Sequence, residues 1–163
     1  MATSNLFKLL IGVCFLVLLH GLPASAQLFV VNGCVYCDTC RCGFETNVST
    51  PVSGAKVRLE CRDRATWVLK FTKEATTNSK GKYKIDVYED HKDESCKVVL
   101  VSSPHRGCDR PDIGRNSATV ILTNNNGLTS ISRYANAMGF LIRRPLAFCP
   151  TILKQYLDFD ESL

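Results

Sequence analysis

Cysteine is the residue type in this sequence whose number and spacing could support chemistry. The chain has 163 residues and nine cysteines, of which Cys34, Cys37, Cys40 and Cys42 fall within nine residues. The spacing Cys37-x-x-Cys40 is that of a zinc-ligand pair or a redox-active dithiol. A closed zinc site needs a second ligand pair, and the sequence has no further C-x-x-C and no H-x-x-x-H downstream. A redox motif would open a helix in a βαβ unit, whereas this pair follows a predicted strand.

Disulfides are the remaining chemistry, and the start of the chain predicts the compartment in which they form. Lys8 precedes an apolar run at 9–19, and Ala-Ser-Ala follows at 24–26. This is the pattern of a secretory signal peptide cleaved after Ala26, and the run is too short for a membrane span. Cleavage removes Cys14 and leaves eight cysteines in an oxidising compartment, where 105 pairings are open. They are Cys34, Cys37, Cys40, Cys42, Cys61, Cys96, Cys108 and Cys149.

Other catalytic motifs are missing from the predicted mature sequence, which has no G-x-S-x-G, no H-E-x-x-H and no glycine-rich phosphate loop. Asp90-His91 lies in the charged stretch 89–94, which we interpret as a solvated loop. A general base needs a positioned nucleophile beside it, and none can be nominated. We therefore predict no catalytic residue, no metal site and no cofactor, and we expect the protein not to be an enzyme.

The charge of the predicted mature chain is about +4, from 19 Lys and Arg against 15 Asp and Glu. Such a mild and scattered excess is not typical of a nucleic-acid-binding protein, although it permits weak attraction to an acidic polysaccharide. The sequon Asn47-Val48-Ser49 lies in a polar stretch between predicted strands, so we expect a glycan at Asn47.

The elements that must position these residues are mostly strands, because the dominant hydrophobic period is two. Segments 55–61 and 82–87 alternate apolar and polar residues without error. Further strands are predicted at 28–36, 68–76, 96–102, 118–123 and 128–134. The Asn-Gly step at the end of the turn 124–127 predicts a hairpin between the last two.

About seven short strands with these turn signals indicate an all-β, antiparallel β-sandwich or barrel. After Pro150, the apolar positions Ile152, Leu153, Tyr156 and Leu157 predict a short helix that covers the core. We expect residues 1–26 to be the signal peptide and 27–163 to form one domain.

A family resemblance follows from one segment in particular. Residues 33–41 resemble the signature G-x-V-Y-C-D-x-C-R of the Ole e 1-like family of pollen allergens and extensin-associated proteins. The signature positions are Gly33, Val35, Tyr36, Cys37, Asp38, Cys40 and Arg41. The resemblance continues across nearly the whole mature chain, through Gly81-x-Tyr83-x-Ile85, Asp90-His91, residues 133–136 and Gly139-Phe140, and several stretches look most like grass-pollen members. The segments around Val57 and Tyr83 also look like prealbumin-like sandwich modules.

The family pattern implies three disulfides: Cys37 with Cys108, Cys40 with Cys149, and Cys61 with Cys96. Cys34 and Cys42 are additional to it. Since they alone are left over, we expect them to pair, with the turn at Asp38-Thr39 folding the chain back on itself. The alternative is that Cys34 or Cys42 displaces Cys37 or Cys40 from a family bridge. Asn32 stands where the family usually has Glu, Gln or Thr, which is a minor departure.

The resemblance implies a secreted, commonly glycosylated plant protein of pollen and the cell wall, with no defining enzymatic activity. Our first hypothesis is an extracellular binding or signalling protein in pollen-tube or wall growth. Its expected partners are acidic cell-wall polysaccharide or a receptor ectodomain, without nucleic acid and without membrane insertion. The alternative is a trypsin-type protease inhibitor, for which Arg106 and Arg110, beside Cys108, are the candidate residues.

Overall fold

The computed structural model of the chain describes residues 29–124 and 126–157. The predicted signal segment 1–26, with Cys14, lies outside the described residues. Within them the strands are β1 (Phe29–Asp38), β2 (Thr50–Pro51), β3 (Lys56–Asp63), β4 (Leu69–Thr76), β5 (Lys82–Val87), β6 (Glu94–Ser102), β7 (Arg110–Pro111), β8 (Ser117–Val120), β9 (Ser132–Tyr134) and β10 (Met138–Leu141); one helix, α1 (Cys149–Leu157), follows. No helix in this part of the chain is long and apolar enough to cross a bilayer.

Two sheets share one hydrophobic core, which confirms the predicted all-β class. In the six-stranded sheet β1 is central: β5 and β9 pair along its first half, and β2 and β10 along its second. The four-stranded sheet has the order β4-β3-β6-β8 and is antiparallel throughout. Apolar side chains of β1 and β5 meet those of β3 and β6 between the sheets.

The period-two pattern of β3 and β5 decides which side chains fill this core. Val57 and Leu59 on β3 are fully buried, as are Ile85 and Val87 on β5 to within 2%. Each such burial stabilises the fold by about 1.5 to 3 kcal/mol. Both strands were predicted from alternation, and both predictions are confirmed.

The predicted hairpin across residues 124–127 is wrong. β8 pairs with β6 in one sheet, whereas β9 pairs with β1 in the other, so the chain between them crosses from sheet to sheet. The buried guanidinium of Arg133 donates to the carbonyls of Ile121 (2.9 Å), Thr123 (3.3 Å) and Ser130. Arg133 thus supplies the hydrogen-bond partners that a neighbouring strand would have given this backbone.

The structure contains the three disulfides that the family pattern implies. Cys37 is bonded to Cys108, Cys40 to Cys149 and Cys61 to Cys96. The second of these ties the end of β1 to the first residue of α1. The predicted helix after Pro150 is therefore present and is anchored covalently.

The expected bridge between Cys34 and Cys42 is absent, and both residues are free thiols. β1 stays extended through Asp38, so Cys34 lies four residues, or about 13 Å, before the end of the strand. Cys42 lies beside that end, with its Sγ 3.6 Å from Oδ1 of Asp38. The turn after β1 therefore does not bring the chain back to Cys34. Burial raises the pKa of both thiols.

Candidate functional site: the outer face of the four-stranded sheet

The signature residues build the end of β1 rather than an open site. The carboxylate of Asp38 is fully buried and accepts hydrogen bonds from the backbone N–H of Cys40 (3.0 Å) and Gly43 (2.8 Å). Arg41 has a φ of 55°, and its guanidinium donates to the carbonyl of Ile142 at 2.7 Å. Val35, Tyr36 and Cys37 are buried, as the signature's apolar members would be in any core strand. Asp38, Val35, Tyr36 and Cys37 are thus enclosed by the protein, and Arg41 at the surface holds the turn to Ile142.

A tyrosine ring explains why the signature has glycine at position 33. The phenol of Tyr83 lies over Gly33, where a Cβ atom would come within 2.3 Å of its oxygen. Tyr36 covers Gly139 in the same manner. Burial raises the pKa of Tyr36 to about 12 and raises that of Tyr83 as well, so neither phenol ionises near neutral pH.

The sequon Asn47 is exposed, in a turn in which the backbone N–H of Ser49 donates to the carbonyl of Thr46. The hydroxyl of Tyr156 on α1 accepts from the Asn47 N–H at 3.2 Å. The turn leaves room for a glycan on the solvent side, and its occupancy stays a prediction.

His91 corrects the interpretation of 89–94 as a solvated loop. The imidazole is only 4% exposed, its Nδ1 lies 2.9 Å from Oε2 of Glu94, and its ring packs against Phe71. The charged neighbours of His91 hid this burial, because Asp90 and Lys92 do face water. Nε2 of His91 has no hydrogen-bond partner within the described residues, so no nucleophile is poised on it.

His91 and Glu94 lie beside the sulfur atoms of Cys61 and Cys96, with one ligand-type atom of each within 4.8 Å of the others. The two sulfurs are joined to each other in a disulfide. Thiolate, not disulfide sulfur, is the zinc ligand. In its oxidised form this cluster is therefore a packed staple.

A polar surface lies on the side of the four-stranded sheet that points away from the core, which we call the outer face. Alternation along each strand turns every second residue toward it. Its members are Lys56, Arg58, Glu60 and Arg62 on β3, Thr72, Glu74 and Thr76 on β4, Ser95, Lys97 and Val99 on β6, and Ser117 and Thr119 on β8. One row across all four strands, Thr72, Glu60, Lys97 and Thr119, is about 14 Å wide at the usual strand spacing.

The outer face is net cationic, with four basic side chains against two carboxylates. Glu60 is enclosed by two of the bases: Arg58 lies 2.8 Å from its Oε1 and Arg62 lies 3.1 Å from its Oε2. Burial opposes ionisation of Glu60, but the hydrogen bonds from Arg58 and Arg62 outweigh it and lower the pKa of the carboxyl. Lys97 is exposed and makes no ion pair within the described part of the chain. The outer face therefore presents hydroxyl groups, the unpaired ammonium of Lys97 and the ion-paired guanidinium groups of Arg58 and Arg62.

Sequence reasoning did not identify this face. The alternation of 55–61 was interpreted in terms of the residues that it buries, and the exposed set was treated as ordinary solvated surface. The signal in the sequence was that Lys, Arg, Thr and Ser recur at many alternate positions of four segments. The register of the strands then shows that these segments are neighbours.

Comparisons with known proteins agree with the fold and with the signature. A family model described as "Pollen protein Ole e 1 like" matches residues 27–157. The protein DOWNSTREAM OF FLC of Arabidopsis thaliana is 45% identical over 159 residues, covering 98% of this chain and 97% of that protein. Pollen allergen Phl p 11 of Phleum pratense, a grass, is 47% identical over 129 residues, covering 78% of this chain and 90% of the allergen.

Among solved structures, the crystal structure of the major plantain pollen allergen Pla l 1 is similar to this chain with a TM-score of 0.66 and 26% sequence identity. The similarity covers 73% of this chain and 97% of the allergen.

Proposed function

This chain belongs to the Ole e 1-like pollen protein family, and from that membership we propose that it is a secreted glycoprotein of the plant cell wall that binds acidic polysaccharide through the outer face. The binding is non-covalent and no chemical step is assigned to the protein.

The observation that carries the proposal is the composition of the outer face. An extended polyanion can lie along a flat sheet, where ammonium and guanidinium groups form charge-assisted hydrogen bonds with carboxylates. Exposed hydroxyls of Thr72, Ser117 and Thr119 offer hydrogen bonds to sugar hydroxyls between the cations. Glu60 keeps Arg58 and Arg62 in fixed positions, which lowers the entropy that binding must overcome.

The disulfides support an extracellular location. Such bonds persist in oxidising compartments and are rare in the cytosol. The three disulfides, which close loops of 35 to 109 residues, would not persist in a reducing compartment.

Retention on immobilised de-esterified pectin tests the proposal. The double variant Lys56→Ala/Lys97→Ala should elute at lower salt than wild type, because both ammonium groups face the bound chain. The matched control Lys80→Ala/Lys92→Ala removes two exposed lysines that lie off the outer face and should elute close to wild type. Exposed charges are screened beyond about 8 Å at physiological ionic strength, so retention should weaken as salt rises. Equal losses in both variants, or retention unchanged in molar salt, would contradict the assignment.

A second candidate function, inhibition of a trypsin-type protease, is favoured by one loop. Arg106 is exposed on a turn closed by the hydrogen bond from the Cys108 N–H to the His105 carbonyl, and the Cys37–Cys108 disulfide anchors that turn. Arg110 does not lie at a loop tip, since it pairs with Leu141 in β7. Stoichiometric trypsin inhibition that is lost in Arg106→Ala and kept in Arg110→Ala would establish this activity.

A further inference from the structure

Trp67 is the one tryptophan of the sequence, and it is 63% exposed to solvent. It lies in the connection from β3 to β4 with a φ of 58°, a left-handed conformation that costs free energy for any bulky side chain. Arg41 is the other non-glycine residue with positive φ in the described chain, and its guanidinium contact to Ile142 accounts for it. The positive φ of Trp67 follows from its place in the hairpin: the Trp67 N–H donates to the Asp63 carbonyl at the end of the loop, where a left-handed residue is common.

The turn that holds Trp67 is built by Asp63. Its Oδ1 accepts hydrogen bonds from the backbone N–H of Ala65 (3.0 Å) and Thr66 (2.8 Å) and from the Thr66 hydroxyl (2.9 Å). The backbone of Asp63 closes the turn in both directions, accepting from the Trp67 N–H and donating to the Val68 carbonyl. These bonds hold the backbone of Trp67 in place before any ligand arrives, so binding does not have to order this turn.

Both apolar and basic residues neighbour the turn that holds Trp67. Val68 and Leu69 follow it and are also largely exposed. Arg62, a member of the outer face, donates to the Trp67 carbonyl at 3.3 Å. Lys70 is close enough to the Asp63 carboxyl to contribute to the lowering of its pKa, behind the hydrogen bonds from Thr66 and Ala65. Arg62 is ion-paired with Glu60, and Lys70 acts on Asp63, but Arg58, Arg62 and Lys70 carry three positive charges against the two negative charges of Glu60 and Asp63. This end of the outer face therefore keeps a net positive charge.

We propose that Trp67 is a stacking platform for a uronic acid residue at the end of the outer face, with Arg62 and Lys70 binding the carboxylate of that sugar. The inference rests on the proposed function and locates one subsite of it. The face of an indole is electronegative and attracts the partly positive C–H groups that line one side of a sugar ring. A neutral glycan would contact the indole but would not pair with the cations, which is why the acidic class is favoured over a neutral one.

An exposed tryptophan beside arginine also resembles a protein-binding hot spot, and the experiment distinguishes that case.

The fluorescence of Trp67 reports directly on its own subsite, because no other tryptophan contributes. Titration of the folded protein with de-esterified oligogalacturonate should shift the emission to shorter wavelength in a saturable manner. Fully methyl-esterified oligomers of the same length should bind at least about tenfold more weakly, since they lack the carboxylates. Equal binding of both oligomers would overturn the acidic assignment. A shift with a wall-protein fraction and none with either oligomer would overturn it in favour of a protein partner.

The variant Trp67→Gly separates function from folding. Glycine adopts positive φ without steric cost, so the thermal midpoint should stay the same or rise, whereas the affinity for oligogalacturonate, measured by calorimetry, should fall about tenfold or more, as for loss of an aromatic stacking contact. Tyr134→Ala removes another exposed aromatic residue, on β9 in the other sheet, and should leave the affinity unchanged.

The two proposals fail in distinguishable ways. Pectin retention that depends on Lys56 and Lys97 but is unaltered in Trp67→Gly would overturn the stacking subsite and leave the proposed function standing. Absence of retention in wild type, together with an unshifted Trp67 emission, would overturn both.

Discussion

Two regions of this sandwich, the end that carries two disulfides and the outer face, use their polar residues in opposite ways. At the stapled end, which comprises the turn 38–43 and α1, a buried carboxylate accepts hydrogen bonds from the turn and two disulfides anchor it. The family signature contains Asp38 and one cysteine of each disulfide. On the outer face, basic side chains and hydroxyl groups are exposed to solvent, and no signature residue is present. The residues that diagnose the family are therefore those that hold it together, and a binding surface has to be sought on the other sheet.

Removing a disulfide from the stapled end should change the free energy of unfolding more than any substitution on the outer face. The double change Cys40→Ser/Cys149→Ser opens a loop of 109 residues and should lower the free energy of unfolding by about 4 to 5 kcal/mol, an upper value because native strain subtracts from it. Chemical denaturation under non-reducing conditions measures this. A midpoint equal to that of wild type would show that the stapled end is held by packing alone.

The next effect concerns the carboxylate at each end. Asp38→Ala leaves the N–H groups of Cys40 and Gly43 without an acceptor in a buried turn and should cost about 2 to 4 kcal/mol. Asp63→Ala also removes several hydrogen bonds, but in an exposed turn where water replaces them, so it should cost less than Asp38→Ala. Urea denaturation of both variants gives the comparison. Equal costs would remove the contrast between the two regions.

A smaller effect is expected where Tyr83 covers Gly33. The added methyl group of Gly33→Ala would meet the ring and should destabilise the fold by about 1 to 3 kcal/mol. Tyr83→Phe should be neutral or slightly stabilising, because the Tyr83 hydroxyl is buried without a hydrogen-bond partner in the described residues. Thermal melts of the two variants settle the point, and a strongly destabilised Tyr83→Phe would show that the hydroxyl is satisfied after all.

The smallest effect belongs to the outer face and depends on pH. The pKa of Glu60 is lower in the folded state than in the unfolded state, so its ionised form adds stability above pH of about 4.3, the ordinary glutamate value. That contribution is lost as the pH falls through the lowered pKa. Glu60→Gln should therefore cost about 1 kcal/mol at pH 7 and progressively less below pH of about 4. Denaturation curves between pH 7 and pH 2 measure the difference, and a gap that widens in acid would refute the argument.

The alternation of apolar and polar residues predicted those strands that have one buried and one exposed side. β3 and β5 alternate because one face of each meets the core and the other meets water, and this appears in the sequence. β10 was missed because Met138, Gly139 and Phe140 are all buried, which removes the alternation. The false hairpin after β8 arose because an Asn-Gly turn looks the same whether or not the following chain returns to the same sheet. Arg133, which decides that question, acts through contacts that no local pattern contains.

The candidate site was less accessible to sequence reasoning for a related reason. The outer face exists only once four separate strands are in register, so residues as distant as Thr72 and Thr119 fall in one row. Trp67 is of interest because it is exposed beside the outer face, and its exposure cannot be obtained from the residue type. His91 was assigned to solvent because its neighbours are charged, although its own ring is packed on Phe71.

The position of β1 constrains how the chain can be made. This first strand pairs in parallel with β9 and β10, about a hundred residues later, so the six-stranded sheet cannot close until nearly all of the chain has been synthesised. Contacts of such long sequence separation slow folding. Meanwhile Cys34, Cys37, Cys40 and Cys42 emerge together as four thiols, while the native partners Cys108 and Cys149 are still to come. Any bridge that forms early within the cluster is non-native, and thiol–disulfide exchange has to undo it before Cys108 and Cys149 can take their partners.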